Sequence, residues 1–294
     1  MSVSGEQQRN RENWPQPEGL RRKSRDTSFS PSTVDPPQPS GSASSGAVFA
    51  RNAAPGNEMT DPSSLPGRKI VIAIDGPAGA GKSTIARHLA RHFGLLNLET
   101  GAMYRAFALK ALRAAIPLDK SGSLETLAED TQIRLEPGGD ENRVLLDGED
   151  VTSLIRTPAV TDAASRVSVF PAVRAWMVRL QQQLGAEGGV VMEGRDIGTV
   201  VFPHAEVKIF LDAAPEVRGQ RRFEQLGQSG NVPTVQPEEV IRELHARDER
   251  DRNRADSPLK PASGAFLLDS TNMTLEQAVA TAEAIVEERL QMPH

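Results

Sequence analysis

Residues 70 to 84 read Ile70-Val71-Ile72-Ala73-Ile74-Asp75-Gly76-Pro77-Ala78-Gly79-Ala80-Gly81-Lys82-Ser83-Thr84, and this stretch decides the fold. Its apolar start predicts a buried strand, and the spacing G-x-x-x-x-G-K-[ST] is that of a phosphate-binding loop. In such a loop backbone N–H groups surround a polyphosphate, Lys82 reaches its outer phosphates and the Ser83 hydroxyl ligates Mg²⁺. All nine residues from 76 to 84 are therefore predicted to form a nucleotide phosphate site.

The residues after the loop predict a helix. Ile85, Leu89 and Phe93 recur at positions i, i+4 and i+8, and Gly94 provides a C-terminal cap. The N-terminus of this helix then points at the bound anion. A purely structural glycine-rich turn is the alternative, but it explains neither the strand before the loop nor the helix after it.

The composition is that of an ordinary globular protein. The chain has 294 residues, 38% hydrophobic and 25% charged, and its apolar runs are too short to cross a bilayer. It has no cysteine, which excludes disulfides and thiolate metal sites and suits a cytoplasmic protein. The net charge of −5 argues against a general affinity for nucleic acid or anionic membranes, so local arginines and lysines must bind any anion.

The first 66 residues differ from the rest of the chain. They are rich in Pro, Ser, Gly, Asn, Gln and Arg, show no hydrophobic period and lack the apolar core of a secretory signal. We predict a disordered N-terminal extension over residues 1–66 and one folded domain over residues 67–294. The extension is either a partner-binding tail or a tolerated addition, and the second is the simpler interpretation.

In the folded part, short apolar runs alternate with helical patterns, which predicts an α/β fold with a five-stranded parallel sheet and helices on both faces. The predicted strands are 69–75, 95–99, 189–193, 207–212 and 265–269, each apolar enough to be buried on both faces. The last helix is the clearest, because Thr274 and Gln277 form a capping-box pattern before an apolar stripe that ends at Leu290.

Residues 117–158 interrupt this alternation. The runs at 133–136 and 143–146 alternate apolar with polar residues around a Pro-Gly-Gly-Asp turn, which predicts a β-hairpin. The pair Asp147-Gly148 turns the chain again toward a third short strand near Val151. We interpret the segment as a small β insertion.

Three clusters of polar residues indicate a second substrate site. The first follows the second strand and places Thr100, Tyr104 and Arg105 within one turn at a helix start. Arg105 can hold a phosphate through two nitrogens, and Thr100 can donate a hydrogen bond to it. An N-cap threonine beside a surface arginine is the alternative.

The second cluster, Glu193-Gly194-Arg195-Asp196, follows the third strand at the carboxyl edge, where open α/β sheets bind ligands. Arg195 can contact the transferred phosphate, and Asp196 or Glu193 can orient Mg²⁺ waters or accept from a base amino group. An internal ion pair between Arg195 and Asp196 is the alternative.

The third cluster has four arginines within residues 246–254. If this segment is helical, several of its charges share one face, and a bound anion would offset the repulsion between them. The residues of that face, which would act as a phosphate clamp, are Arg247, Arg250, Asp251 and Arg254. Arg221 and Arg222 can extend this clamp. The alternative is a solvated helix with intrahelical pairs such as Glu243–Arg247 and Asp248–Arg252.

With the loop and these three clusters in this order and at these separations, the chain resembles the bacterial cytidylate kinases, a family of nucleoside monophosphate kinases. The resemblance covers about residues 68–290 and includes the β insertion that marks the bacterial members. It implies a P-loop NTPase-type fold with a monophosphate-binding insertion at about 117–158 and a short lid at about 221–258. It also implies transfer of the γ-phosphoryl group of ATP to CMP or dCMP with Mg²⁺ in pyrimidine metabolism, by a cytoplasmic monomer that binds neither nucleic acid nor membrane.

The resemblance further implies which residues form the site. The cations that would stabilise the transferred group are Lys82, Arg195, Arg250 and Arg254, and the metal ligand is Ser83. The acceptor site would consist of Thr100, Tyr104, Arg105, Ser165, Arg174, Arg195, Asp196, Arg247, Asp251 and Arg254, of which Arg105, Arg195 and Arg254 hold the acceptor phosphate.

The remaining acceptor roles concern the ribose and the base. The resemblance implies that Asp251 with Arg247 binds the ribose hydroxyls. It implies that Asp196 and Ser165 accept from the cytosine amino group while Arg174 donates to the ring. On their own patterns, Ser165 and Arg174 would be ordinary helix-surface residues.

Two residues depart from the family's pattern, since Glu99 and Glu193 stand where many members carry aspartate at the ends of strands two and three. We expect the extra methylene to affect fine geometry and rate rather than the reaction. A shikimate- or gluconate-type kinase is one alternative, but it would lack the β insertion and the base-reading residues. A regulatory or RNA-binding protein is another, but acidic residues interleave the arginines of 246–254 and cancel much of their charge.

Overall fold

The computed structural model describes residues 70–138, 141–228 and 236–291, and the structural statements below refer to these ranges. The extension predicted for residues 1–66 lies outside them. So do the middle of the predicted hairpin turn and residues 229–235 of the predicted lid.

The described ranges contain eight strands and eight helices, numbered along the chain. The strands are β1 Val71–Asp75, β2 Leu96–Glu99, β3 Ile133–Glu136, β4 Arg143–Leu146, β5 Glu149–Asp150, β6 Val190–Gly194, β7 Val207–Asp212 and β8 Phe266–Asp269. The helices are α1 Lys82–His92, α2 Thr100–Arg113, α3 Ser121–Glu129, α4 Pro158–Val167, α5 Pro171–Leu184, α6 Pro215–Gln228, α7 Pro237–Asn253 and α8 Leu275–Gln291. A 3₁₀ turn, Leu154–Arg156, precedes α4, and a π-helical turn, Ile197–Val201, follows β6.

The core is a parallel sheet of five strands in the order β2-β6-β1-β7-β8. All five predicted strands are confirmed. The prediction that each is buried on both faces is wrong for the two edges, where Leu96 in β2 is 51% exposed and Leu267 in β8 is 71% exposed. An edge strand has a neighbour on one side only, and the helices leave its outer side chains uncovered.

Helices cover both faces of the sheet, as predicted. Ile72 and Ile74 of β1 pack in one apolar cluster with α1 and α8, whereas Ala73 packs on the opposite face with β6, the π-helical turn and side chains of α5. This alternation follows from the two-residue period of a strand. None of the helices in the described ranges is long and apolar enough to cross a membrane.

The predicted β insertion is confirmed as a second, antiparallel sheet in the order β3-β4-β5. Its inner side chains, which include Val144 and Leu146, pack with α2, α4 and α5 in a separate apolar cluster. The segment also contains α3, which the sequence analysis did not predict although Leu124, Leu127 and Ala128 recur at i, i+3 and i+4.

The predicted helix ends are also confirmed. The Gln277 amide N–H donates to Thr274 Oγ1 at 3.2 Å and the Thr274 N–H donates to Gln277 Oε1 at 2.9 Å, so α8 begins with a capping box. After α1, Gly94 has φ +65° and lets the Leu95 N–H donate to the Ala90 carbonyl at 2.8 Å.

Candidate active site

The phosphate loop connects the carboxyl end of β1 to α1. Gly76 has φ +151°, and a Cβ there would lie 1.9 Å from the Leu211 carbonyl oxygen in β7, so only glycine fits. Gly81 precedes the helix in the left-handed conformation, with φ +97°. The N-terminus of α1 therefore borders the cleft, which is the arrangement that binds phosphate.

Lys82, the first residue of α1, is buried, and its ammonium group donates to the Pro77 carbonyl at 2.7 Å. Burial, and next the charge of Arg195, lower the pKa of Lys82 to about 7. Phosphate oxygens beside the amine would favour its protonated form, so this lysine is placed to gain charge when a nucleotide binds.

Two carboxylates lie against the loop. Asp75 accepts from the Ile197 and Gly198 N–H groups at 2.7 and 2.8 Å, and its burial raises its pKa to about 6. Burial, and next the charge of Glu99, raise the pKa of Glu193, while Lys82 and a hydrogen bond from Ser83 lower it.

The resemblance noted in the sequence implies a magnesium ion, and the residues beside the loop fit one. Glu193 Oε1 is buried with no hydrogen-bond partner among the described residues, and the Ser83 side chain lies next to this carboxylate. A hydroxyl and a carboxylate oxygen are donors that Mg²⁺ prefers.

One cleft of about 1420 Å³ joins the loop to the predicted acceptor site. Its lining includes loop residues 78–84. The acceptor residues that line it are Thr100, Tyr104, Arg105, Ser165, Arg174, Arg195, Asp196, Arg247, Asp251 and Arg254. The structure therefore brings all ten predicted acceptor residues to one cavity, although they come from α2, α4, α5, α7, the end of α7 and the segment after β6.

At one end of the cleft, Arg174 of α5 is fully buried. Its guanidinium forms an ion pair with Asp196 and donates to the Ser168 carbonyl at 3.3 Å. Ser165 Oγ, on α4, is buried with no partner among the described residues. Both side chains thus point into the protein, and the surface interpretation of Ser165 and Arg174 is wrong. Asp196 pairs with Arg174 rather than with Arg195, which also excludes the internal pair considered for the second cluster.

The middle of the cleft carries excess positive charge. Arg195 Nε donates to Asp251 Oδ2 at 2.8 Å, and Arg254 Nη1 lies 3.9 Å from Asp251 Oδ1. Burial, followed by the charge of Arg195, lowers the pKa of Arg247 to about 10, and its Nε has no hydrogen-bond partner in the described ranges. Arg254 also lies 3.8 Å from Asp196 Oδ1, but Asp196 already pairs with Arg174. The two carboxylates of Asp251 and Asp196 thus face four guanidinium groups, so this part of the cleft suits an anion.

Helix α2, which follows the second strand, supplies a further cation. Arg105 forms an ion pair with Glu99, and its buried Nε has no hydrogen-bond partner among the residues that the structure describes, so the surface-arginine alternative is wrong. Although burial opposes it, the charge of Arg105 holds the pKa of Glu99 below its usual value. The prediction that Thr100 donates to a ligand is also wrong, because its hydroxyl donates to the Glu193 carbonyl at 2.7 Å and only its lone pairs remain available.

Arg250 does not line the cleft. Its Nε donates to the Ala246 carbonyl at 3.2 Å, and its Nη1 lies 3.5 Å from Asp162 Oδ1 on α4. The cleft-facing positions of α7 follow the i, i+4, i+7 pattern of Arg247, Asp251 and Arg254, which leaves Arg250 on the flank. Its predicted catalytic role is therefore not supported by this arrangement.

The clamp residues outside α7 have their own partners. Arg221 donates to the Ser270 hydroxyl at 3.0 Å and to its carbonyl at 2.8 Å, and Arg222 donates to Gln225 at 2.8 Å. Both arginines still line the cleft.

Arg218 of α6 is a residue that the sequence analysis missed. It is buried, and its Nη1 donates to the Ala78 carbonyl of the phosphate loop at 3.0 Å and to Asp248 of α7 at 2.5 Å. Asp248 is thus held by Arg218, which overturns the intrahelical Asp248–Arg252 pair. The only local signal in the sequence is the next residue, Gly219. A Cβ there would lie 2.2 Å from Ile241, so this glycine marks a close approach of α6 and α7.

Comparison with known proteins identifies the family. The family model for cytidylate kinase matches residues 72–288. The cytidylate kinase of Pasteurella multocida is 46% identical over 225 residues, which cover 76% of this chain and 97% of the relative. Those of Syntrophotalea carbinolica and Pelotomaculum thermopropionicum are 47% and 51% identical, over 76% and 71% of this chain and 95% and 92% of their own lengths. The chain therefore belongs to the cytidylate kinase family.

Proposed function

We propose that this protein transfers the γ-phosphoryl group of ATP to CMP, forming CDP and ADP, and that it also accepts dCMP. The observation that carries the proposal is the single cleft in which the phosphate loop faces all ten acceptor residues. Two nucleotides bound at its two ends would place a donor and an acceptor phosphate near Lys82 and the central arginines.

Phosphoryl transfer depends mainly on positioning and on neutralising charge. The loop N–H groups and Lys82 bind the ATP phosphates, and Arg195, Arg247 and Arg254 balance the charge between donor and acceptor. Ser83 and Glu193 would hold Mg²⁺, which would supply positive charge to offset the negative charge of the phosphates. Arg105, held by Glu99, fits the acceptor phosphate.

The buried end of the cleft suits cytosine. The Asp196 carboxylate and the unpartnered Ser165 Oγ can accept from the exocyclic amino group, while Arg174 can donate to a ring acceptor. A uracil carbonyl at the same position would face the carboxylate oxygen, which supports a preference for CMP over UMP.

We also propose the coarser features of the enzyme. The folded domain comprises residues 67–294, with the monophosphate-binding insertion at about 117–158 and the lid at about 221–258. The full cleft is formed by a single chain, which supports action as a monomer on small nucleotides. A cytoplasmic location is consistent with a sequence that has no cysteine.

The test is ADP release from Mg-ATP by the purified protein with CMP, dCMP, UMP, AMP, GMP and shikimate as acceptors. Turnover with CMP and dCMP, abolished by EDTA and restored by Mg²⁺, is the expected result. Turnover with another acceptor alone would retain the phosphate loop and reject the cytosine-reading residues. No turnover with any acceptor would reject the proposal.

A further inference from the structure

Two histidines and a glutamate meet on the side of the molecule formed by α1 and α8. His88 and His92 are one turn apart on α1, so their side chains share a face. Glu283 of α8 reaches both: its Oε1 lies 2.5 Å from His88 Nε2 and 3.0 Å from His92 Nδ1. None of the three lines the nucleotide cleft.

We propose that His88, His92 and Glu283 bind a divalent transition-metal ion, with Zn²⁺ as the natural occupant. One ligand atom from each residue lies within 4.8 Å of the others. A tetrahedral Zn²⁺ with bonds of about 2.0–2.2 Å needs donor atoms about 3.3–3.6 Å apart, so small side-chain rotations suffice. Two imidazoles and a carboxylate favour Zn²⁺ over Mg²⁺ or Ca²⁺, which prefer sites made of oxygen alone.

The contacts around His92 fix the orientation of its ring. Its Nδ1 lies 3.0 Å from Glu283 Oε1, on the side of the cluster, whereas its Nε2 lies 3.9 Å from Glu287 Oε1 on the opposite side. With Nδ1 on the metal ion, the Nε2–H group would face Glu287, and this carboxylate would orient the ring as an outer partner of the ligand.

The surroundings also suit an ion. The three side chains are only partly exposed, between 23% and 38%, so the site is sheltered and still open to a metal from solution. His88 and His92 lie in the last turns of α1, whose C-terminal dipole end favours positive charge. The apolar cluster shared by α1 and α8 holds the two helices in place beneath the site. The bound ion would therefore stabilise the helix that carries the phosphate loop without touching the substrates.

The test is a titration of the untagged, metal-stripped protein with ZnCl₂ by calorimetry, with melting curves at each Zn²⁺ concentration. The variants are His88→Asn/His92→Asn and Glu283→Gln, and the matched control is His204→Asn/His245→Asn, which changes two exposed histidines elsewhere. CMP turnover with Mg²⁺ alone checks that every variant is folded.

We expect one Zn²⁺ per wild-type chain and a rise in Tm of about 5 °C or more at a concentration a hundredfold above Kd. Removing both histidines should weaken binding by about a hundredfold or more, since even an outer partner of a metal ligand is worth 10–100-fold. Glu283→Gln should weaken it less, and the control should bind as wild type does. Absence of saturable binding, or equal binding by His88→Asn/His92→Asn, would show that the cluster is a hydrogen-bonded group only and would overturn the proposal.

Discussion

At the scale of single residues, the cleft brings together cations whose burial costs free energy. Lys82 and Arg247 both have pKa values lowered, first by burial and then by the charge of Arg195. In the free protein this arrangement stores unfavourable electrostatic energy, and bound phosphates release it. These side chains are therefore arranged to pair with the negative charge of a bound ligand.

Lys82 yields a prediction about protons. Its pKa of about 7 in the free protein leaves the amine mostly neutral at pH 8, and phosphates bound beside it should raise that pKa. ATP binding at pH 8 should then take up a proton, and less uptake is expected at pH 6, where the amine is already charged. Calorimetry in buffers of different ionisation enthalpy measures the number of protons.

The control for this prediction is Lys82→Met, which has the chain length but not the charge. The proton uptake specific to pH 8 should be absent from that variant. Equal uptake by wild type and variant would assign the proton to another group.

A second residue-level prediction concerns Arg254. Arg254→Ala should leave ATP affinity unchanged and lower kcat/KM for CMP by about two orders of magnitude, the usual effect of losing one preorganised charge contact. Arg252→Ala is the matched control, because Arg252 lies in the last turn of α7, two residues before Arg254. Its side chain is half exposed, and its ion pair with Asp212 is long, at 3.8 Å. Steady-state kinetics of the two variants tests this prediction, and full activity of Arg254→Ala would show that Arg254 is not part of the site.

Single residues also show what the sequence can and cannot indicate. Arg105 and Arg195 were predictable because each follows a strand at the carboxyl edge of the sheet. Ser165 and Arg174 sit in ordinary helical patterns, and only the family resemblance pointed to them. Neither the sequence patterns nor the family resemblance pointed to Arg218, because its role depends on contacts with Ala78 and Asp248, which are distant in sequence.

At the scale of elements, the turn from β1 into α1 is the most constrained. A Cβ on Gly76 would lie 1.9 Å from a backbone oxygen of β7, so Gly76→Ala must separate paired strands. We expect a loss of unfolding free energy of about 3 kcal/mol or more, beyond the 1–2 kcal/mol of a left-handed alanine alone. Urea denaturation measures it.

The matched variant for that prediction is Gly94→Ala. Gly94 also has positive φ, at +65°, but, its chain neighbours aside, no atom of the described residues lies within 4 Å of its would-be Cβ. It should lose only about 1–2 kcal/mol. Equal losses at Gly76 and Gly94 would mean that close approach does not constrain the loop.

Strands and helices differ in how well their patterns predicted them. The five core strands were evident because short apolar runs ended at polar residues or glycines. Helix α3 was missed although Leu124, Leu127 and Ala128 follow the helical spacing, because it is short and lies in a segment whose other runs predicted strands. Exposure of the edge strands depends on which neighbours they acquire, and this is decided by the tertiary fold rather than by the local sequence.

At the scale of the whole molecule, the cleft lies between two apolar clusters. One joins α1 and α8 to the central sheet and supports the phosphate loop, and the other joins the β insertion to α2, α4 and α5 and supports the acceptor residues. Helix α7 adds Arg247, Asp251 and Arg254 from a third side. The order of motifs along the chain predicted this division, but not the ion pairs that connect its parts.

The most direct test of this account is the identity and rate of the product formed from ATP and pyrimidine monophosphates, followed by ³¹P NMR and chromatography. The account predicts that CDP accumulates as ATP is consumed, with kcat/KM for CMP at least about fivefold above that for UMP, because one mismatched hydrogen-bonding group costs about 1–3 kcal/mol. Absence of CDP, or equal efficiency with UMP, would contradict it.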